Sequence, residues 1–107
     1  LDLLGYGKAR FPDAAMQAGF SLAHEADAVQ AALAAHMADA EPFHLVGHSY
    51  GGATALRLAR TAPGRIRSLA VFEPVAFHLL DESDRVFIRG ILARTRSRLH
   101  DDGPRAV

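Results

Sequence analysis

The chain contains no cysteine, which excludes disulfides, thiolate metal sites and a cysteine nucleophile while leaving the redox compartment open. It carries no excess charge of either sign: 12 basic residues face 12 acidic ones. Divided at Gly64, the balance is 4 basic and 6 acidic residues before it, then 8 and 6 after it. With no charge block, nucleic acid is not an expected partner. No stretch approaches the roughly 18 uninterrupted apolar residues of a membrane span, so no membrane association is expected. There is no internal repeat, no low-complexity tract and no initiating methionine; the chain opens on Leu1-Asp2-Leu3-Leu4. A signal peptide is therefore not readable from it, and a cytoplasmic location is the default expectation. What is present is ordinary for a soluble protein: 107 residues, half of them apolar, enough for one small domain. Such a domain buries only roughly 60 to 65% of its unfolded surface and has a modest core. Arginine outnumbers lysine eleven to one and alanine is abundant, a usage expected of a high-GC bacterial source.

Along the chain, Leu1 to Leu4 reads as the tail of a strand running into a tight turn at Gly5-Tyr6-Gly7-Lys8. Ser21 is a plausible N-cap, followed by a helical stripe of Leu22, Val29, Leu33 and Met37 that Ala26 helps fill, with His24, Asp27 and Gln30 opposite. That helix is expected to end near Asp39, because Pro42 biases Glu41 out of helical geometry. Phe43 to Val46 reads as a parallel strand buried on both faces and ended by Gly47. A second helix is predicted over Tyr50 to Ala62, with Ala53, Leu56 and Ala59 inward and Thr54, Arg57 and Arg60 outward, stopped by Pro63-Gly64. Ile66 to Phe72 reads as a third strand closed by Glu73-Pro74. Alternating strands and helices at this spacing predict a parallel sheet flanked by helices. Beyond Val75, Asp81 is positioned to cap a helix from Glu82 to about Leu99, which Gly90 is expected to interrupt and five arginines crowd. The residues from His100 to Val107 have the composition of a loop.

The chemistry concentrates in Gly47-His48-Ser49-Tyr50-Gly51-Gly52, a match to G-x-S-x-G between a predicted strand and a predicted helix. A serine at the tip of so sharp a turn is strained and leaves no room for side chains two residues before and two after, room that Gly47 and Gly51 supply. Ser49 then stands at a helix N-terminus, where free N–H groups and the dipole favour negative charge, and the Tyr50 N–H is the natural oxyanion donor.

These residues resemble those of the α/β-hydrolase fold superfamily. Asp2 to Gly7 resembles its D-L-x-G-x-G loop, Gly47 to Gly52 its nucleophile elbow, and Leu69 to Pro74 the following strand with its E-P ending. The resemblance implies an α/β fold class: a fragment of an α/β-hydrolase, with residues 1–78 the central part of an incomplete core and 79–107 the start of a cap or lid. It implies a serine hydrolase that is esterase-like, with carbon–carbon bond hydrolases and cofactor-free haloperoxidases as alternatives. The substrate would be a small ester or activated carbonyl compound, with no cofactor and no metal. The family's second oxyanion donor lies upstream of Leu1, and its usual acid and histidine lie downstream of Val107, so the isolated chain is expected to be inactive. Open strand edges would favour aggregation. The rival is a non-catalytic remnant or binding module of the same fold. Oligomeric state is not readable.

Each residue also has a plainer role. Ser49 would serve as a capping serine, and a phosphate loop is disfavoured because no lysine and hydroxyl residue follow Gly52. His48, although beside Ser49, reads as a structural histidine. His44 and His48 span a strand and a turn, which is not the geometry of helical zinc ligands. His100 would act as a base only if the end of the chain folded back over Ser49. Glu73, at the ligand-binding edge of the sheet, reads first as a residue shaping the cap entrance and second as an alternative catalytic acid. The arginines from Arg85 to Arg98 read as a solvated helix face.

Overall fold

A computed structural model describes residues 1–10, 13 and 18–102, with the side chains of residues 99, 101 and 102 excepted. The chain forms two compact units, Leu1–Val75 and Ala76–Val107. The first contains helix α1 (Leu22–His36), strand β1 (Phe43–His48), helix α2 (Tyr50–Thr61) and strand β2 (Ile66–Phe72). The second contains helix α3 (Glu82–Asp102).

The strands pair in parallel, Leu45 opposite Leu69, Gly47 opposite Val71 and His48 opposite Phe72, with an irregularity after Phe43. Two strands are present among the described residues, not three. Leu1 to Leu4 has no strand beside it among the described residues to supply ladder bonds, so its polar groups bond to the adjoining turn and to a side chain of α1 instead. The Lys8 N–H donates to Asp2 Oδ2 at 2.9 Å, and Gly5 and Gly7 take positive φ, 84° and 53°, in the turn expected there.

The helix α1 starts where the sequence places it. Ser21 is extended at φ −141°, and the imidazole of His24 turns back so that its Nδ1 accepts the Ser21 N–H at 3.0 Å. His24 thus closes the helix start instead of merely facing solvent. The helix ends at His36, three residues before Asp39, because Met37 is already extended. Arg65 then holds the connection, donating from Nη2 to the carbonyls of Ala38 and Glu41 at 3.2 and 3.4 Å and lying 5.5 Å above the Phe43 ring.

Ala26, Val29 and Leu58 form the core, with Leu3, Leu33 and Leu45 packed against it. The helix α1 packs on α2, and α2 packs on both strands. Phe43, Leu45 and Gly47 face that helical layer, whereas Val46 on the other face is 67% exposed. Burial of β1 on both faces, as expected of a parallel strand, is therefore not what forms here. The helix α2 packs on both strands, and the face of β1 turned to the helical layer is the one that is covered.

The inward face of α2 also differs from expectation. Thr54 is buried with Ala53, Ala55 and Leu58, whereas Leu56 and Ala59 are half-buried and Arg57 is only partly exposed. With the sheet on one side and α1 on another, α2 is covered over a wider arc than one stripe. Thr54 is tolerated inside because its hydroxyl donates to the Tyr50 carbonyl at 3.1 Å.

In the second unit Asp81 caps α3 as expected: its carboxylate accepts the Asp84 N–H at 3.0 Å and the Ser83 hydroxyl at 2.7 Å. These bonds, that of Asp84 first, hold its carboxyl below the usual carboxylate range. Gly90 does not interrupt the helix; one glycine costs about 1 kcal/mol relative to alanine, too little to break 21 residues of it. No helix among the described residues is long and apolar enough to cross a membrane. A Cβ at Gly90 would meet only Arg94 Nη1 at 3.6 Å. Gly90→Ala is therefore expected to stabilise α3 by about 0.5–1 kcal/mol, read as increased helicity on thermal scanning by circular dichroism; a loss of helicity would contradict the placement.

Candidate active site

The strand β1 delivers Gly47 and His48 to the C-terminal edge of the sheet, and α2 leaves from Tyr50, so the whole change of direction falls on Ser49. Its backbone stands at φ 52° and ψ −118°, a conformation that an L-residue with a Cβ adopts only when its surroundings enforce it. Three hydrogen bonds do so. The Ser49 N–H donates to the Phe72 carbonyl at 3.0 Å, and the Ser49 carbonyl accepts the N–H groups of Ala53 at 3.2 Å and Val75 at 3.1 Å. The turn is thereby tied to its own helix and to the exit of β2.

Close backbone packing completes the constraint. A Cβ on Gly47 would collide with the Gly51 carbonyl and lie 2.8 Å from Gly52 Cα. A Cβ on Gly52 would lie 3.0 Å from both Cα and Cβ of Pro74. At Gly51 the expectation fails: a Cβ there would meet only Leu3 Cδ1 at 3.9 Å, an ordinary contact. The crowded pair is Gly47 and Gly52, because these are the points where α2 touches β1 and the segment after β2.

Ser49 occupies the cap position of α2, yet its side chain makes no capping bond, and its positive φ is foreign to the extended backbone of a capping serine. The plainer role raised by the sequence is not the one adopted. Half-buried Ser49 directly precedes the first turn of α2, where Tyr50, Gly51 and Gly52 have no intrahelical acceptor for their N–H groups.

Glu25 is the residue that sequence reasoning missed. It is 1% exposed, and its carboxylate accepts the Leu4 N–H on Oε1 at 2.9 Å and the Tyr50 hydroxyl on Oε2 at 3.3 Å. The signal was its place on the α1 stripe, four residues before Val29, where an ionisable group must find partners inside. Burial, reinforced by the nearby Glu25 charge and hydrogen bond, pushes the Tyr50 phenol up to about 12.

Glu73 follows β2 at φ 44°, also a strained non-glycine position, and is exposed. His48 is exposed on the open face of the sheet, where His44 Nδ1 lies 2.7 Å from Ser68 Oγ. Among the described residues, no group of three or more histidine or acidic side chains is arranged to hold a metal. His100 lies on α3, in the other unit. A cavity of about 440 Å³ runs along β1 between α1 and α2, lined mainly by apolar side chains such as Leu3, Leu33 and Leu45; it reaches Gly47 and His48 but not Ser49.

Two expectations follow. Gly47→Ala should destabilise the first unit by about 2 kcal/mol or more, whereas Gly51→Ala should be neutral or mildly stabilising, since alanine is the better helix former. Urea unfolding of the two variants decides; equal losses would refute the steric assignment. The raised Tyr50 phenol makes stability depend on alkaline pH. Between its ordinary value near 10 and about 12 the unfolded chain sheds this proton while the folded chain keeps it, so stability is full below pH 10 and declines above it. In Tyr50→Phe that part of the decline should vanish, as measured by urea midpoints across the range.

Comparison with curated proteins and with solved structures gives no match. A sequence model of the alpha/beta hydrolase fold matches residues 1–97. That span takes in the glycine turn, both strands, all of α2 and most of α3. With parallel strands flanked by helices and a sharp strand-to-helix turn at the sheet edge, the chain belongs to the α/β-hydrolase fold family.

Proposed function

We propose that the chain carries the nucleophile of a serine hydrolase, with Ser49 attacking the carbonyl of a small ester or other activated carbonyl compound. The observation that carries this reading is the pairing of an enforced positive φ with an unengaged side chain at Ser49. A backbone strained by about 1–3 kcal/mol is maintained by three hydrogen bonds and two glycine contacts, yet the hydroxyl contributes nothing to the helix cap. Attack by Oγ would place the developing oxyanion near the N-terminus of α2, with the Tyr50 N–H as donor. The chemistry asks for no cofactor. Ester hydrolysis, carbon–carbon cleavage and perhydrolysis share this turn and differ in what lines the substrate space, so esterase-like acyl transfer is the simplest member of the class.

A serine hydroxyl needs a base to become a strong nucleophile, and no histidine among the described residues is hydrogen-bonded to Ser49. Glu73 directly follows Phe72, whose carbonyl accepts the Ser49 N–H, and is itself held at positive φ, so it is the candidate for an orienting carboxylate. That Ser49 Oγ has no hydrogen-bond partner among the described residues favours one second reading: a module of the same fold that binds a carbonyl ligand at this edge without turnover.

A fluorophosphonate probe followed by peptide mass mapping separates the two. A single adduct on Ser49, lost in Ser49→Ala, is the expected outcome. Labelling that survives Ser49→Ala would remove the nucleophile assignment.

A further inference from the structure

The carboxylate of Glu25 is a buried ionisable group that the chemistry at Ser49 does not itself use. It comes from α1, yet its two oxygens serve two other segments: Oε1 takes the Leu4 N–H at 2.9 Å and Oε2 takes the Tyr50 hydroxyl at 3.3 Å. At 1% exposure it has no solvent to compensate a lost partner, and a carboxylate in such a place is retained only when its bonds are made. Tyr50 is the residue directly after Ser49, and its backbone N–H is the oxyanion donor of the preceding reading. A tyrosine held at its far end by a fixed carboxylate has its ring, its χ angles and hence its backbone plane restrained.

We propose that Glu25 is a positioning residue for the Ser49 turn, fixing the Tyr50 side chain so that the Tyr50 N–H stays directed at the oxyanion. The proposal rests on the nucleophile reading of Ser49. The Leu4 N–H bond extends the same restraint to the glycine turn at the start of the chain, so one carboxylate joins three segments around the first turn of α2. Glu25→Gln is the informative conservative change. The amide oxygen still accepts the Leu4 N–H, and the amide NH₂ can donate to the Tyr50 phenol oxygen, so the position is kept while the charge is lost.

The experiment measures the rate at which the full chain is labelled on Ser49 by a fluorophosphonate, together with the ultraviolet titration of Tyr50. Exposed Tyr6 is first replaced by phenylalanine so that Tyr50 is the one phenol observed. Tyr50→Phe and Glu25→Ala should each slow labelling by about tenfold, and the double variant should be no slower than either, because both remove the same restraint. Glu25→Gln should keep most of the rate while bringing the Tyr50 midpoint down from about 12, so that at pH 11 more of the phenol is ionised. A merely structural Glu25 would give losses that multiply with that of Tyr50→Phe. Such multiplication, or a Ser49 labelled at full rate in Tyr50→Phe, overturns this proposal and leaves the nucleophile reading standing. Absence of any label on Ser49 in the unsubstituted chain overturns both, and the Tyr50 midpoint in Glu25→Gln then still reports whether the hydrogen bond exists. Tyr50→Phe keeps the ring and its packing, so the rate comparison survives even if Glu25→Ala fails to fold.

Discussion

The bond from the Ser49 N–H to the Phe72 carbonyl, 3.0 Å long, joins the end of β1 to the end of β2 at the point where the chain turns. It helps to hold Ser49 at φ 52°, since a non-glycine residue relaxes out of that region unless its neighbours prevent it. The Ser49 carbonyl works in the same direction, taking N–H groups from Ala53 and Val75. The geometry of the turn therefore depends on the pairing of the two strands and on α2 lying close against them. That closeness is possible because Gly47 and Gly52 present no Cβ where backbone meets backbone. Sheet register, helix placement and serine conformation are a single constraint seen from three sides.

A second constraint acts from the helical side. The helix α1 contributes Ala26 and Val29 to a core that is mostly alanine and leucine, and among them it places Glu25. An apolar residue there would pack against α2 without directing it. A carboxylate with two donors makes directional bonds, one to the residue that follows Ser49 and one to the glycine turn. The core is small, and these directional hydrogen bonds add an orientation that apolar contacts alone do not specify.

Much of the fold was legible in the sequence. The start of α1 at Ser21, both boundaries of β2, the start of α2 and the cap at Asp81 follow from capping residues, apolar runs and Pro-Gly stops. What was not legible depends on partners distant in sequence. Leu1 to Leu4 has strand composition, but a strand exists only beside another strand. The cover of β1 depends on where the helices lie, and the wide inward arc of α2 depends on being packed from two sides, which a periodicity count over one helix does not register. At the site, the position of Ser49 between strand and helix was plain from G-x-S-x-G, whereas the division of steric roles among the glycines was not. Gly51 matches the motif, yet crowding falls on Gly52, because the nearest backbone belongs to Pro74, over twenty residues further on. Glu25 was hidden for the same reason, since both its partners lie 21 or more residues away.

The central claim is that the strained turn exists to present Ser49 Oγ to an electrophile beside the free N–H groups of α2. A crystal structure of the chain after reaction with a fluorophosphonate tests it most directly. The account predicts phosphorus bonded to Ser49 Oγ, Ser49 still at positive φ, and a phosphonyl oxygen about 2.7–3.1 Å from the Tyr50 nitrogen. A Ser49 relaxed to negative φ with its hydroxyl bonded into the first turn of α2 as an ordinary cap would contradict it.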